Sequence, residues 1–345
     1  MAALTQYRDR PGVSDSDLAG MLDDRSLELI ILPTEKCNFR CVYCYESFEQ
    51  GRMSATTIKA VKNLISARLP HLSSLHIEWF GGEPLLATDI IKEIGAHALG
   101  LVDALPSNPH FSAGATTNGW LLTTEIADGL LETGGVIAYQ VSLDGPSEAH
   151  DRSRILAGGS GTYHRIMDNL QAIRDSKLQV EVAIRVHVTS ENFQHMPDWA
   201  AALLSEFGDD SRFKFNPQLV EPLGGPSDSE LTFASVEDLA FVHKLFGVAA
   251  PDHVAPCYAA SPTSFVIRSD GAICKCTVAL NDPRNLVGQL KEDGRLEIAP
   301  ESTAPWLRGL TSRNINELHC PFMDLPVRKS VVPLPMPEIR KGPLM

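Results

Sequence analysis

Along the first two thirds of the chain, short runs rich in β-branched and aromatic residues alternate with stretches whose apolar residues recur at helical spacing. The runs are "LELIILP", "LHIEWF", "FSAGATT", "VIAYQVSLD", "VEVAIRVHV" and "FKFNPQLVEP". Between them, Ile58, Val61, Leu64 and Ile65 fall on one helical face, and Ile166, Leu170 and Ile173 do the same. Strand and helix in strict turn leave few folds open: each crossover is right-handed and the strands lie parallel in one sheet. Six such units fit between residues 26 and 225. That is too few to close an eight-stranded barrel, and it predicts an α/β fold built on an open, partial (β/α)6 barrel.

The texture changes at "PLGGPSDSE" (222–230), a Gly/Pro/Ser loop that reads as a domain boundary. The expected organisation is an N-terminal segment over 1–26, the barrel over 27–225, a small α+β extension over 226–325 and a Pro-rich tail over 326–345. No apolar run approaches the length that crosses a bilayer, so no membrane partner is expected. The start of the chain lacks a basic head followed by an apolar stretch, which points to the cytoplasm, where thiols stay reduced. With 43 acidic against 30 basic residues the net charge is −13, and such a surface repels nucleic-acid backbones.

Three of the seven cysteines, Cys37, Cys41 and Cys44, stand within "TEKCNFRCVYCYE", directly after the first expected strand. In folds of parallel strands the chemistry gathers at the strands' C-terminal ends. Thiolates this close can hold a cubane iron–sulfur cluster, and a set of three leaves one iron open to a ligand. Three other readings compete. Zinc fingers prefer paired Cys-x2-Cys and close the shell with a fourth ligand, and no His or Cys lies nearby in sequence. A redox pair of Cys41 and Cys44 leaves Cys37 without a part. The third reading is plain buried thiols.

"CNFRCVYCYE" resembles the signature of the radical S-adenosylmethionine (SAM) enzymes. "FGGEPLL" (80–86), "TTNGWLL" (116–122), "SLDGPSEAHDRSR" (142–154) and "IRVHVTSEN" (184–192) are similar to further motifs of that family, in its order. The resemblance runs from about residue 27 to 320 and is nearest the branch whose C-terminal SPASM or twitch extension carries auxiliary clusters, many of whose members modify ribosomal peptides. It implies a [4Fe–4S] cluster on Cys37, Cys41 and Cys44 and reductive cleavage of SAM to methionine and a 5′-deoxyadenosyl radical. It also implies SAM contacts from Gly81, Gly82 and Glu83, from Asn118, and from Ser142 and Asp144, with Tyr43 against the adenine. Each has a plainer reading: the glycines as a tight turn, Asn118, Ser142 and Asp144 as strand-end turns, Tyr43 as core. Arg154 and Arg185 each offer a fork that matches a carboxylate, here that of the methionine, and a structural ion pair suits either equally. His150 reads as structural.

In "CYAASPTSFVIRSDGAICKC", Cys257, Gly271 and Cys276 are similar to the opening of the SPASM pattern, and "RSDGAI" reads as a hairpin. In the second half of that pattern Cys320 aligns, but Glu317, Pro326 and Ser330 stand where three more cysteines belong. One auxiliary cluster is therefore the expectation, from Cys257, Cys276, Cys320 and, less simply, Cys274, which alternates with Cys276 across a strand. A zinc site or free thiols are the alternatives. Sulfatase-maturing relatives carry an aspartate after the hairpin's last cysteine. Thr277 stands there, which disfavours formylglycine formation. The resemblance further implies a precursor peptide as substrate, a flavodoxin or ferredoxin as reductant and a separate leader-recognition protein. A small metabolite or sugar substrate, and a non-catalytic Fe–S or zinc protein, are the competing functions.

Overall fold

Each of the six apolar runs forms a strand, because a parallel strand covered on both faces can afford few polar side chains. In the computed structural model, which describes residues 13–223, 225, 231–249 and 255–325, the chain enters through a short helix, α1 (Asp15–Met21), and then β1 (Ser26–Thr34). A three-residue strand, β2 (Phe39–Cys41), follows before α2 (Ala55–Arg68), β3 (Ser74–Gly81), α3 (Thr88–Ala104) and β4 (His110–Thr117). Next come α4 (Thr124–Gly134), β5 (Val136–Leu143), α5 (Ser147–Ser153), β6 (Arg154–Leu156) and α6 (Tyr163–Asp175). The barrel ends with β7 (Glu181–Val188), α7 (Met196–Phe207) and β8 (Phe213–Leu219).

Strands β1, β3, β4, β5, β7 and β8 pair in parallel in that order, so the (β/α)6 expectation holds. The helical faces read from the sequence are the ones that pack on it: Ile58, Val61, Leu64 and Ile65 of α2, and Ile166, Leu170 and Ile173 of α6, are all buried. Ser54 and Thr123 cap α2 and α4 by accepting from Thr57 N and Ile126 N. Neither β2 nor β6 is legible in the sequence at three residues each. Together they form an antiparallel ribbon outside the main sheet.

After α8 (Val236–Leu245), the hairpin β9 (Ser264–Ile267) and β10 (Ala272–Cys274) adds to the free edge of β1. β11 (Leu286–Leu290) and β12 (Leu296–Ile298) continue outward, giving one sheet of ten strands, open between β12 and β8. The extension therefore shares the barrel's sheet, since β9 pairs in parallel with β1. The Pro-rich tail, and with it Pro326 and Ser330, lies outside the described residues, as do 1–12 and 226–230.

Candidate active site

Beyond Thr34 the chain leaves the sheet into the loop of Cys37, Cys41 and Cys44, which is pinned at three places. The β2–β6 ribbon sets Cys41 opposite Arg154. Glu83 N donates to Lys36 O at 3.0 Å, and Asn118 Nδ2 donates to Asn38 Oδ1 at 2.8 Å. Held this way, all three thiols line one cavity of about 270 Å³ at the C-terminal ends of the barrel strands. Burial pushes Cys37 up to about 12 and Cys44 up to about 11, with neighbouring negative charge adding to both, and raises Cys41 against the opposing charge of Arg154. The thiols thus hold their protons at neutral pH until a cation draws them off. Phe39 N donates to Cys37 Sγ at 3.3 Å, the kind of contact that tunes a cluster's sulfurs. Among the described residues no three His, Cys, Asp or Glu side chains gather on a point that would hold a single metal ion.

The expected motif residues converge on this cavity, but in two different capacities. Gly81 has φ +116°, and a Cβ there would lie 2.3 Å from Thr34 O. A Cβ on Gly82 would lie 2.7 Å from Lys36 O, so the turn and the cysteine loop approach as only glycine allows. Both glycines line the cavity, as does Ser142. Glu83 is fully buried, and its carboxylate is spent on the fold: it accepts from Leu85 N at 3.0 Å, Thr117 Oγ1 at 2.7 Å and Asn118 N at 2.7 Å. Asn118 lines the cavity, yet its Oδ1 accepts from Trp120 N at 3.0 Å, which closes its own turn.

Asp144 lies behind the wall. It accepts from Tyr43 Oη at 2.7 Å and Ser153 Oγ at 2.6 Å, and its Oδ1 is 3.0 Å from His187 Nδ1. Burial works to raise its pKa, but the His187 hydrogen bond and nearby Arg154 hold it well below the usual carboxylate range. Arg154 Nη1 donates to Tyr43 Oη at 2.7 Å, while its buried Nε has no hydrogen-bond partner among the described residues. Arg185 Nε donates to His187 Nε2 at 3.0 Å. Because that nitrogen accepts, the His187 proton sits on Nδ1 and points to Asp144, and burial keeps the ring neutral. His150 receives Asp144 N at 3.3 Å and contacts Thr162 Oγ1 at 3.0 Å, a structural part, as expected.

Two residues escaped the sequence reading. His187 follows Arg185 by two on the same strand face, which is the signal that could have found it. Glu46 lines the cavity, and burial pushes its carboxyl up to about 8, with Glu35 adding to the rise.

The C-terminal cysteines sort into two groups. Cys257, Cys276 and Cys320 lie close enough for the charge of one to oppose ionisation of another. Cys274 turns to the opposite side and packs with Ile30, Leu32, Val266 and Leu280. Asn285 fixes the segment by accepting from Lys275 N and Cys276 N, both at 2.9 Å. Thr277 is 2.8 Å from Tyr258 Oη through its hydroxyl and again through its N–H, so it stands braced at the cavity's edge.

The family model for the Radical SAM superfamily matches residues 31–203. A GTP 3′,8-cyclase of Synechococcus elongatus is 28% identical over 170 residues, covering 48% of this chain and 48% of that protein. A cysteine-type anaerobic sulfatase-maturating enzyme of Clostridium novyi is 25% identical over 234 residues, covering 64% and 59%. The chain spans about half the length of the curated relatives it matches. Among solved structures, anSMEcpe with bound AdoMet superposes with a TM-score of 0.60 at 21% identity, covering 81% of this chain and 80% of that one. SuiB of Streptococcus suis bound to the precursor peptide SuiA gives 0.55 at 15% identity, covering 81% and 66%. At these identities the two structures establish a shared fold.

Proposed function

This chain belongs to the radical SAM superfamily, whose members use a [4Fe–4S] cluster and SAM, and on that premise we propose that it modifies a ribosomally made peptide by abstracting hydrogen from it. The observation that carries the radical step is the convergence of Cys37, Cys41 and Cys44 with the Gly81–Gly82 turn on one cavity. The residues present fit the cofactors: three soft donors free of disulfides, a glycine cradle, and an unpartnered buried guanidinium nitrogen on Arg154. What the bound pair supplies is one-electron cleavage of SAM to methionine and a 5′-deoxyadenosyl radical that removes hydrogen from the substrate.

The protein's part is to bind, orient and exclude water. Cys37, Cys41 and Cys44 would hold the cluster. Gly81, Gly82 and Ser142 would lie against the methionine, with Tyr43 flanking the adenine, and the free Nε side of Arg154 would take the methionine carboxylate. Glu83, Asn118 and Asp144 act one layer back: their side chains are committed to fixing the loops that carry these groups. Cys257, Cys276 and Cys320 are the proposed ligands of an auxiliary cluster. A flavodoxin or ferredoxin would deliver the electron, and a separate leader-recognition protein would present the peptide.

The peptide reading draws on the peptide-maturase motifs and on the apolar mouth of the cavity, where Phe48, Leu219, Leu223 and Val278 could receive a side chain. A small-molecule substrate is the second reading, favoured by the sequence likeness to a GTP 3′,8-cyclase. The core of the proposal is tested by giving SAM and dithionite to anaerobically reconstituted protein. 5′-Deoxyadenosine above a Cys41→Ala control is expected, and its absence would sink the radical step. Incubation with any short peptide found encoded beside the gene then separates the substrates: a mass change supports the peptide, and no binding at any concentration favours the small molecule.

A further inference from the structure

Two guanidinium groups face the cavity, and they are held in different ways. Arg154 spends Nη1 on Tyr43, and its Nε, buried beside Cys41, has no hydrogen-bond partner among the described residues. Arg185 is held the opposite way round. Its Nε is spent on His187 Nε2 at 3.0 Å, and its two terminal amino groups have no hydrogen-bond partner among the described residues. It forms no ion pair there either; Asp144, the buried carboxylate behind the same wall, is already engaged with His187, Tyr43 and Ser153.

The brace behind Arg185 is built for rigidity. His187 is buried, its Nδ1 lies 3.0 Å from both Asp144 Oδ1 and Tyr43 Oη, and its ring packs edge-on to Tyr43 at 5.2 Å between centroids. A neutral imidazole accepts one hydrogen bond from Arg185 but returns no charge. The site therefore holds a half-buried cation in a wall shared with Tyr45 and Glu221, and Glu221, exposed at the rim, acts on it by charge without forming a direct ion pair among the described residues. Desolvating a guanidinium without a counter-ion is costly, and an incoming anion would offset that cost.

We propose that Arg185 is a specificity-determining residue whose terminal amino groups take a carboxylate of the substrate, and that His187 is the positioning residue holding it end-on to the cavity. The inference rests on the radical SAM reading for its division of labour: SAM's carboxylate goes to Arg154, which leaves Arg185 for the second ligand. It narrows the substrate to one with a carboxylate close to the reacting carbon, such as an acidic side chain of a peptide.

The test is calorimetry on the reconstituted full chain saturated with SAM, with phenylacetate as probe and phenylacetamide as its uncharged counterpart. A charge-assisted fork predicts that phenylacetate binds at least about tenfold more tightly than the amide. Arg185→Gln should erase that preference, and Arg185→Lys should retain part of it. His187→Leu should weaken phenylacetate by about tenfold while SAM affinity changes less than about threefold, a split that mere loss of structure would not give. His187→Gln, whose amide oxygen can still accept from Arg185, should restore binding. Equal binding of acid and amide, no phenylacetate binding, or a loss of SAM affinity in Arg185→Gln would each overturn the proposal. Failure of the unaltered protein to bind SAM at all would overturn the radical SAM site itself, a result that equilibrium dialysis reads separately.

Discussion

The two cysteine sets are alike in composition and differ in setting. Cys37, Cys41 and Cys44 ride an irregular loop beyond the end of β1, and all three open on the same cavity. Cys257, Cys276 and Cys320 belong to the C-terminal segment whose hairpin extends the sheet, and they do not line that cavity. Burial raises Cys37, Cys41 and Cys44 in the one set and Cys257 and Cys276 in the other. Proximity of thiols is thus common to both sets, and what separates them is space for a ligand beside the sulfurs. On the function proposed above, the first set would hold a cluster open to a ligand and the second a cluster with its ligands complete.

The largest effect expected is from Cys41→Ala. It should remove the first cluster and bring 5′-deoxyadenosine formation to background, read by iron content and product assay. If Cys276→Ala did as much, the contrast between the sets would break. The expected outcome for Cys276→Ala is loss of about four irons per chain, one cubane, with SAM binding retained. Equal iron in Cys276→Ala and unaltered protein would remove the auxiliary cluster from the account.

Gly82→Ala probes the close approach on which the first set depends. Its Cβ would meet backbone oxygen at 2.7 Å, so the turn or the cysteine loop must shift. Such overpacking costs about 1–3 kcal/mol and should weaken SAM binding at least tenfold by dialysis, a loss of about 1.4 kcal/mol.

The pH dependence sharpens the picture of the wall behind that set. Burial holds the His150 pKa down to about 4, against an ordinary value of 6.5. The unfolded chain therefore takes up a proton between those values that the folded one refuses, so acid favours unfolding. Through this histidine, stability should be complete above pH 6.5 and fall by about 3 kcal/mol as pH drops to 4. Because Glu46, raised to about 8, contributes the opposite slope over this range, the His150 share is read as the difference between unaltered protein and His150→Gln in urea titrations from pH 7 to 4, and no difference would contradict the neutral, buried state of His150. Asp144 acts with the same sign at lower pH. Its depressed pKa adds stability above the ordinary carboxylate value, lost as pH falls toward the folded one.

The smallest effect belongs to Cys274→Ala. Packed among Ile30, Leu32, Val266 and Leu280, this thiol should cost about 1 kcal/mol in urea unfolding and leave iron content unchanged. A fall in iron would place Cys274 with the other three and undo the sorting of the C-terminal set.

Much of this was readable in advance because it depends on local pattern. The six strands, the buried faces of α2 and α6 and the Gly271 hairpin turn follow from periodicity and turn chemistry, which are properties of short windows. The motif residues of the site were legible as residues, but their parts were not. Glu83 and Asp144 read as contacts to a cofactor, yet their carboxylates are occupied by Thr117 and Asn118, and by Tyr43, Ser153 and His187. Those partners lie 34 to 35 positions from Glu83 and as many as 101 from Asp144, beyond the reach of any local rule.

By itself, the sequence determined the alternation that makes a parallel sheet, the three thiols after its first strand and the glycines that let loop and turn approach, since each is a matter of neighbours along the chain. Only the tertiary structure decided which cysteines of the second set lie near one another, and which guanidinium nitrogens are left without a hydrogen-bond partner. Those outcomes turn on the pairing of β9 with β1, of Cys41 with Arg154 and of Arg185 with His187. A hydrogen bond spent on one partner is lost to any other, and that allocation exists only once the strands have come together.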